Sequence, residues 1–165
     1  MNYRKVNNIV GWITGGIALF VYLKTMEPTV SFWDCGEFIA ATYKLQVVHP
    51  PGAPIFLMVG RIFALFASSP EQVPVMTNFF SALSTAFGAL FVFWIVTRMM
   101  RKAVAGNEEP IGSQIATIIF GGIIGAGCFI FMDSIWFSAV ESEVYALATF
   151  FFILIFWTIV KWEAH

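Results

Sequence analysis

Two carboxylates and a histidine lie close together in a chain that is only 12% charged. Asp34 and Glu37 are three residues apart, a spacing that places both side chains on one face of a helix. Neighbouring carboxylates raise the pKa of one of the pair, which suits a general base, or they bind a hard divalent cation. His49, further along the chain, could donate a hydrogen bond to a phosphate or a sugar. Simpler interpretations stay open: Asp34 begins a helix, Glu37 is a solvated surface charge, and His49 precedes a rigid Pro-Pro turn.

The composition predicts a membrane protein that must hold these side chains in or near a bilayer. Of the 165 residues, 59% are hydrophobic, and the charged fraction is well below the ~25% of ordinary globular domains. A net charge of −1 gives no reason to expect a nucleic-acid partner. Cys35 and Cys128 are too few for a disulfide framework, and we expect no bridge between them.

Long apolar runs predict an all-α fold with four transmembrane helices in one module, residues 1–165. The predicted spans are residues 9–25, 75–97, 115–132 and 145–161. The first has a basic start but no small-residue cleavage site after it, so it is interpreted as a signal anchor. We expect the module to be the N-terminal part of a longer protein and to be inactive alone.

The loop between the first two spans, residues 26–74, is predicted to hold two helices that lie parallel to the membrane surface. The first, residues 31–46, has Ser31 as a plausible N-cap and is too polar to cross the bilayer. The second, residues 55–67, is apolar but would be only about 20 Å long. It also carries Arg61 near its middle, where a charge at the bilayer centre costs several kcal/mol.

The distribution of basic residues then favours a cytoplasmic N-terminus. In this arrangement Arg4, Lys5, Arg98, Arg101, Lys102 and Lys161 are cytoplasmic, and only Lys24, Lys44 and Arg61 are outside. A five-span arrangement with the N-terminus outside also satisfies the charge count, but it buries Arg61. The four-span arrangement places Asp34, Glu37 and His49 on the non-cytoplasmic side, together with a second acidic loop at residues 133–143.

Several other residues have both a functional and a structural interpretation. Glu141 and Glu143 precede the last span, where acidic residues are favourable at a helix N-terminus in any case. Arg61 is either an interfacial charge or a phosphate contact. The aromatic residues near the membrane surface fit an interfacial belt, although they could also stack on sugars; they are Trp33, Trp136 and Tyr145.

Two ordered motifs resemble a family of polytopic membrane proteins. The first is Asp34-Cys-Gly-Glu37 followed by Ala40-Ala41, Leu45 and His49-Pro-Pro-Gly-Ala-Pro54, and the second is Trp136 with Glu143-Val-Tyr-Ala-Leu147. Bacterial members of this family were long described only as a domain of unknown function, and the animal relatives are protein O-mannosyltransferases. The family belongs to the GT-C architecture of glycosyltransferases. Cys35 departs from the Ser more usual at its position.

The resemblance implies transfer of a sugar from a polyprenyl-phosphate donor to an acceptor hydroxyl, a protein Ser or Thr or a glycan. Asp34 would be the catalytic base, and Glu37 would support it or help to bind the acceptor. His49 and Arg61 would contact the donor phosphate, and Glu143 would lie near the same cavity. No cofactor is assigned; a divalent cation held by Asp34 and Glu37 stays open. The expected location is the bacterial inner membrane, with the active loop periplasmic.

Two other functional classes stay open from the residues alone. Glycine-rich spans and a charge such as Arg61 are compatible with a transporter or flippase. A non-catalytic scaffold of an envelope assembly is a further alternative. The sequence identifies neither the sugar nor the acceptor.

Overall fold

The computed structural model describes residues 2–162, and within this range every regular element is helical. The helices are α1 (Tyr3–Thr25), α2 (Cys35–Lys44), α3 (Pro54–Ala64), α4 (Val73–Ala105), α5 (Gly112–Ile130), α6 (Asp133–Val140) and α7 (Val144–Trp162), with a short 3-10 turn at Pro70–Gln72 before α4. Four of them, α1, α4, α5 and α7, are long and apolar enough to cross a membrane. The prediction of an all-α membrane protein with four spans is confirmed.

Helix α4 is the centre of the bundle. Its 33 residues extend for about 50 Å, and it contacts each of the other described helices. Small residues on the neighbouring helices allow the close approach: a Cβ added to Gly122 of α5 would lie 2.8 Å from the Phe93 ring, and one added to Gly11 of α1 would lie 2.5 Å from the Trp94 indole. Two spans, α1 and α5, therefore approach α4 closely enough for their backbones to lie against its aromatic rings.

One end of the bundle collects the basic residues. The Tyr3 hydroxyl donates to the Thr97 carbonyl at 3.5 Å, which joins the start of α1 to the last part of α4. The Arg98 Nε donates to the Val160 carbonyl at 3.1 Å, which joins α4 to the end of α7. All six residues predicted to be cytoplasmic belong to helix ends that meet here. Which side of a membrane this end faces stays a prediction.

The opposite end holds the short helices and the acidic residues. The Glu27 N–H donates to the Val140 carbonyl at 3.0 Å, and the amide of Asn78 in α4 donates to the Glu27 carbonyl at 2.8 Å. The chain that leaves α1 is thereby joined both to α6 and to α4. The loops that carry Asp34 and Glu143 start from this shared anchor.

Helices α2 and α3 are each too short to span a bilayer of about 30 Å. They pack on α4 through a row of aromatic rings: the centroids of Phe38 and Phe56 are 5.6 Å apart, those of Phe56 and Phe80 are 5.4 Å apart, and those of Phe63 and Phe80 are 5.0 Å apart. Such ring pairs contribute roughly 0.5–1.5 kcal/mol each beyond their buried area. This row fixes both helices beside the start of α4.

The bounds of these two helices differ from the sequence prediction. α2 begins at Cys35 rather than residue 31, because Trp33 has φ 61°, which lies outside the right-handed helical region. The Ser31 hydroxyl caps no helix and donates to Glu141. Asp34 occupies the N-cap position without a side-chain capping bond, and Leu45 ends the helix in the left-handed region with φ 51°. α3 begins with Pro54 at its first turn, where the missing N–H has no cost, and ends at Ala64.

Residues 133–140 form a helix, α6, where the sequence analysis expected a loop. Asp133 is in its first turn, a favourable position for a negative charge. The Trp136 ring meets the Tyr22 ring edge-to-face at 5.9 Å, and Ala139 is fully buried. Packing against α1 and α4 stabilises this eight-residue helix, and the sequence of the segment alone does not show that packing.

Candidate functional site

Glu37 and His49 form a close pair at the start of α2. One Glu37 oxygen accepts the His49 backbone N–H at 2.7 Å, and the other lies 2.8 Å from the ring Nδ1. The left-handed turn at Leu45 directs the chain back along α2, which brings His49 to the first turn of the helix. Because Nδ1 faces Glu37, Nε2 is the ring nitrogen that could contact a ligand.

The pair shifts the pKa of both partners. The hydrogen bonds from the His49 ring and from its backbone N–H lower the pKa of Glu37. The hydrogen bond to Glu37 and then its charge raise the pKa of His49, and the charges of Asp34 and Glu143 add smaller effects in the same direction. His49 is therefore cationic over a wider pH range than an isolated histidine, which suits contact with an anion.

Asp34 lies beside this pair, and one ligand atom from each of Asp34, Glu37 and His49 falls within 4.8 Å of the other two. Three such ligands could hold a divalent cation. Both Glu37 oxygens are already engaged by His49, so a cation would have to displace part of that pairing. All three side chains are exposed, and exposed acidic groups of this kind are common without an ion.

Two hydrogen bonds join the loop around Asp34 to the second loop. The Cys35 thiol donates to a Glu143 oxygen at 3.6 Å, and the Ser31 hydroxyl donates to Glu141. Burial raises the pKa of the Cys35 thiol to about 12, with the charges of Glu141 and Glu143 adding to the effect, so the thiol is a donor at neutral pH. Burial also raises the pKa of Glu143. Asp34 is thus flanked on both sides in sequence by residues bound to the second loop.

A cavity of about 500 Å³ opens between the α2–α3 loop and the start of α7. Its polar lining is Asp34, His49 and Glu143; its apolar and aromatic lining includes Phe38, Phe56, Val144, Tyr145, Leu147 and Phe151. Two carboxylates and an imidazole beside an apolar wall could bind a molecule that has both a polar group and a lipid chain. The proton of a hydroxyl placed near Asp34 could pass to that carboxylate.

Of the five residues proposed from the sequence for catalysis or substrate binding, Arg61 alone lies outside this group. Its guanidinium donates to the Tyr43 carbonyl in the last turn of α2, and it lies 5.5 Å from the centroid of the Tyr43 ring. A cation at this position satisfies one of the free carbonyls at the helix C-terminus and complements the helix dipole. The structure therefore gives Arg61 a capping contact between α3 and α2.

The residues before Asp34 project outward. Phe32 and Trp33 are 86% and 93% exposed, and Trp33 has φ 61°, a conformation that costs a non-glycine residue roughly 1–2 kcal/mol. Nothing in the sequence around Trp33 predicts this backbone conformation. The two contacts between the loops were also missed; the signal available was a cysteine, Cys35, placed between two acidic residues.

The sequence that forms this site is similar to known proteins. Residues 34–165 match the family described as the protein O-mannosyl-transferase TMEM260 N-terminal domain, and the match begins at Asp34. The chain is 29% identical over 159 residues to the mouse protein O-mannosyl-transferase TMEM260, covering 93% of this chain and 20% of that protein. It is 26% identical over 132 residues to protein O-mannosyl-transferase tmem260 of Dictyostelium discoideum, covering 79% of this chain and 14% of that protein.

No solved structure matches the chain. The chain spans a fifth or less of the length of these two curated relatives. Since the family match covers both loops of the candidate site and most of the sequence, this chain belongs to the protein O-mannosyl-transferase TMEM260 N-terminal domain family.

Proposed function

We propose that this chain is the N-terminal membrane module of an inverting GT-C glycosyltransferase. It would help to transfer a sugar, mannose by the name of its relatives, from a polyprenyl-phosphate donor to a protein Ser or Thr hydroxyl on the extracytoplasmic face. The observation that carries the proposal is the family match over residues 34–165, which contains both loops that line the cavity. The bacterial inner membrane stays a prediction, since the two relatives compared are eukaryotic.

In the proposed mechanism Asp34 is the general base. The acceptor oxygen forms a bond to the anomeric carbon, the bond from that carbon to the phosphate oxygen breaks, and the hydroxyl proton passes to Asp34. His49, whose protonated form is favoured by the hydrogen bond to Glu37, would contact the departing phosphate through Nε2. The apolar wall beside Phe56 and Phe151 would receive the first part of the polyprenyl chain. No step is assigned to a divalent cation, and activity in the presence of EDTA measures whether one is needed.

Substitution of Asp34 tests the proposal. In the complete reading frame that contains this chain, we expect Asp34→Asn to lower transfer to an acceptor peptide by at least about 100-fold, the smaller end of the usual contribution of a general base. Binding of the lipid donor should be retained. Asp133→Asn is the matched control, because Asp133 is exposed at the start of α6 and does not line the cavity. Transfer by Asp34→Asn within twofold of wild type would show that Asp34 is not the base, and altered lipid flux without any glycosylated product would favour a transporter.

Orientation is tested by cysteine labelling in a Cys128→Ala background. Ser68 lies just before α4 and Ala105 is its last residue, so the two are about 50 Å apart along the helix. We expect a membrane-impermeant maleimide added outside to label Ser68→Cys and not Ala105→Cys in sealed vesicles or cells. Labelling in the reverse order would overturn the proposed face of the site.

A further inference from the structure

A second cavity lies at the basic end of the bundle, opposite the Asp34 site. Its volume is about 780 Å³, and it lies between the last turns of α4, the first residues of the α4–α5 loop and the last turns of α7. Arg98, Arg101 and Lys102 form its cationic lining, and Phe156 and Ile159 of α7 form part of its apolar lining. In the sequence, these cations indicate only the orientation of the spans.

The two arginines differ in how their side chains are used. Arg98 donates from Nε to the Val160 carbonyl at 3.1 Å, so it is held in place at the end of α7. Arg101 lies over the Tyr3 ring at 5.8 Å and makes an ion pair of 3.4 Å with Glu109, a strongly exposed carboxylate. Its Nε is buried and has no hydrogen-bond partner within the described residues. Arg101 is thus held less firmly than Arg98, by an exposed ion pair and a ring contact, and it lines the cavity.

The surface beside the cations suits an amphiphile. Phe156 and Ile159 line the cavity and remain 48% and 53% exposed, and Ile155 is 57% exposed on the same helix. Since α7 is one of the four apolar spans, this surface continues along the helix into the hydrocarbon region. A small soluble anion would meet the cations but leave the apolar wall uncovered, whereas a lipid would cover both.

We propose that this cavity binds an anionic phospholipid, with its phosphate against Arg101 and Lys102 and an acyl chain along Phe156 and Ile159. The planar guanidinium group matches the geometry of phosphate oxygens. Basic pockets between spanning helices are suited to anionic headgroups, because several charges converge where the apolar chain can remain in the bilayer. The site is separate from the Asp34 cavity and does not depend on the reaction proposed there.

Native mass spectrometry of the complete chain in detergent tests the proposal. Phosphatidylglycerol and phosphatidylcholine are titrated separately, and we expect phosphatidylglycerol to bind at lower concentration with a stoichiometry near one. Arg101→Gln should weaken phosphatidylglycerol binding about fivefold, and Arg101→Gln with Lys102→Gln roughly 30-fold, from the usual contribution of each cation near an anionic lipid. Phosphatidylcholine binding should change by less than twofold.

Two controls make the result specific to the cavity. Glu109→Gln breaks the same ion pair as Arg101→Gln but leaves the cations, so phosphatidylglycerol binding should be retained or tightened. Arg4→Gln removes a cation from the same end of the bundle but outside the cavity, and it should have less than a twofold effect. If Arg101→Gln does not fold, as judged by helical circular dichroism, Lys102→Gln alone supplies the comparison, since Lys102 is exposed.

Three results would overturn the proposal. One is equal affinity for the two phospholipids. Another is an equal loss in Arg4→Gln and in the cavity variant, which would show diffuse attraction to the basic end. The third is complete displacement of phosphatidylglycerol by millimolar inorganic phosphate, which would identify a site for free phosphate.

Discussion

The Cys35 thiol joins the loop that carries Asp34 to the second loop, and its removal should loosen both. Cys35 is fully buried and donates to Glu143 at 3.6 Å. Cys35→Ala removes the donor and leaves the half-buried Glu143 carboxylate with one hydrogen bond fewer. The Ser31 contact with Glu141 remains as the second link between the loops.

The size of the effect follows from this geometry. Hydrogen bonds to charged groups contribute about 1.5–3 kcal/mol, and the long sulfur contact and partial exposure of Glu143 place this bond near the lower limit, at about 1–2 kcal/mol. That range corresponds to roughly 5- to 30-fold in the equilibrium between docked and undocked loops. The thiol hydrogen bond also opposes the burial that raises the pKa of Glu143. Its loss should therefore raise the pKa of Glu143 further.

Hydrogen exchange of the amides at residues 31–37 measures the docking directly. We expect Cys35→Ala to speed their exchange by about 5- to 30-fold, because local opening controls the rate. Cys35→Ser keeps a donor of similar size and should stay within about threefold of wild type. Cys128→Ala is the matched control, since Cys128 is exposed and unpaired in α5. If ionised Glu143 is needed for transfer, the acidic limb of the pH–activity profile should also move to higher pH in Cys35→Ala.

Either of two results would contradict docking by the thiol hydrogen bond: exchange of Cys35→Ala at the wild-type rate, or loss of protection in Cys35→Ser as complete as in Cys35→Ala. In the first case the thiol does not contribute to docking. In the second case the sulfur acts by filling space rather than as a hydrogen-bond donor.

Two further predictions concern the Glu37 pair and the packing of α5. The pKa of His49 is raised and the pKa of Glu37 is lowered, so the ion pair is strongest at pH values between these two pKa values. The pair weakens at lower pH, where Glu37 is protonated, and at higher pH, where His49 loses its proton. Glu37→Gln should shift the His49 titration observed by NMR to lower pH, and an unchanged titration would contradict the pairing. Gly122→Ala should lower the free energy of unfolding in detergent by about 1–3 kcal/mol, because the new Cβ would crowd Phe93. Gly127→Ala, where nothing lies within 4 Å of the added Cβ, should not destabilise the protein, and equal effects of the two substitutions would count against this packing.

The sequence was informative where a single segment decides its own structure. Apolar runs of sufficient length predict α1, α4, α5 and α7, and a short run with a central arginine indicates that α3 does not cross the bilayer. The sequence was uninformative where the deciding partner is far away. The Ser31 hydroxyl caps no helix and donates instead to Glu141, 110 residues later. Helix α6 forms because Tyr22 and α4 cover it.

The same distinction applies to Arg61. In the sequence, Arg61 is an isolated charge on a short apolar helix, and this pattern does not distinguish a phosphate contact from an interfacial charge. In the structure it contacts the carbonyl of Tyr43, and a contact with a backbone carbonyl cannot be inferred from the pattern of side chains. The phosphate contact stays a prediction. Helix-capping contacts of this kind become visible only when the turn between two helices is known.

The candidate site is therefore formed by two loops, and the acidic motif of the first loop does not form it alone. Asp34, Glu37 and His49 are supplied by residues 34–49, but one wall of the cavity and both flanking hydrogen bonds are supplied by residues 141–151. Asn78 of α4 holds the chain that enters the first loop, and Val140 of α6 is bound to that same segment. A protein that ended before α6 would retain the acidic pair and its histidine but would lose the partners of Ser31 and Cys35. The packing of the spans creates the site, because it brings together two segments that are separated by about one hundred residues of sequence.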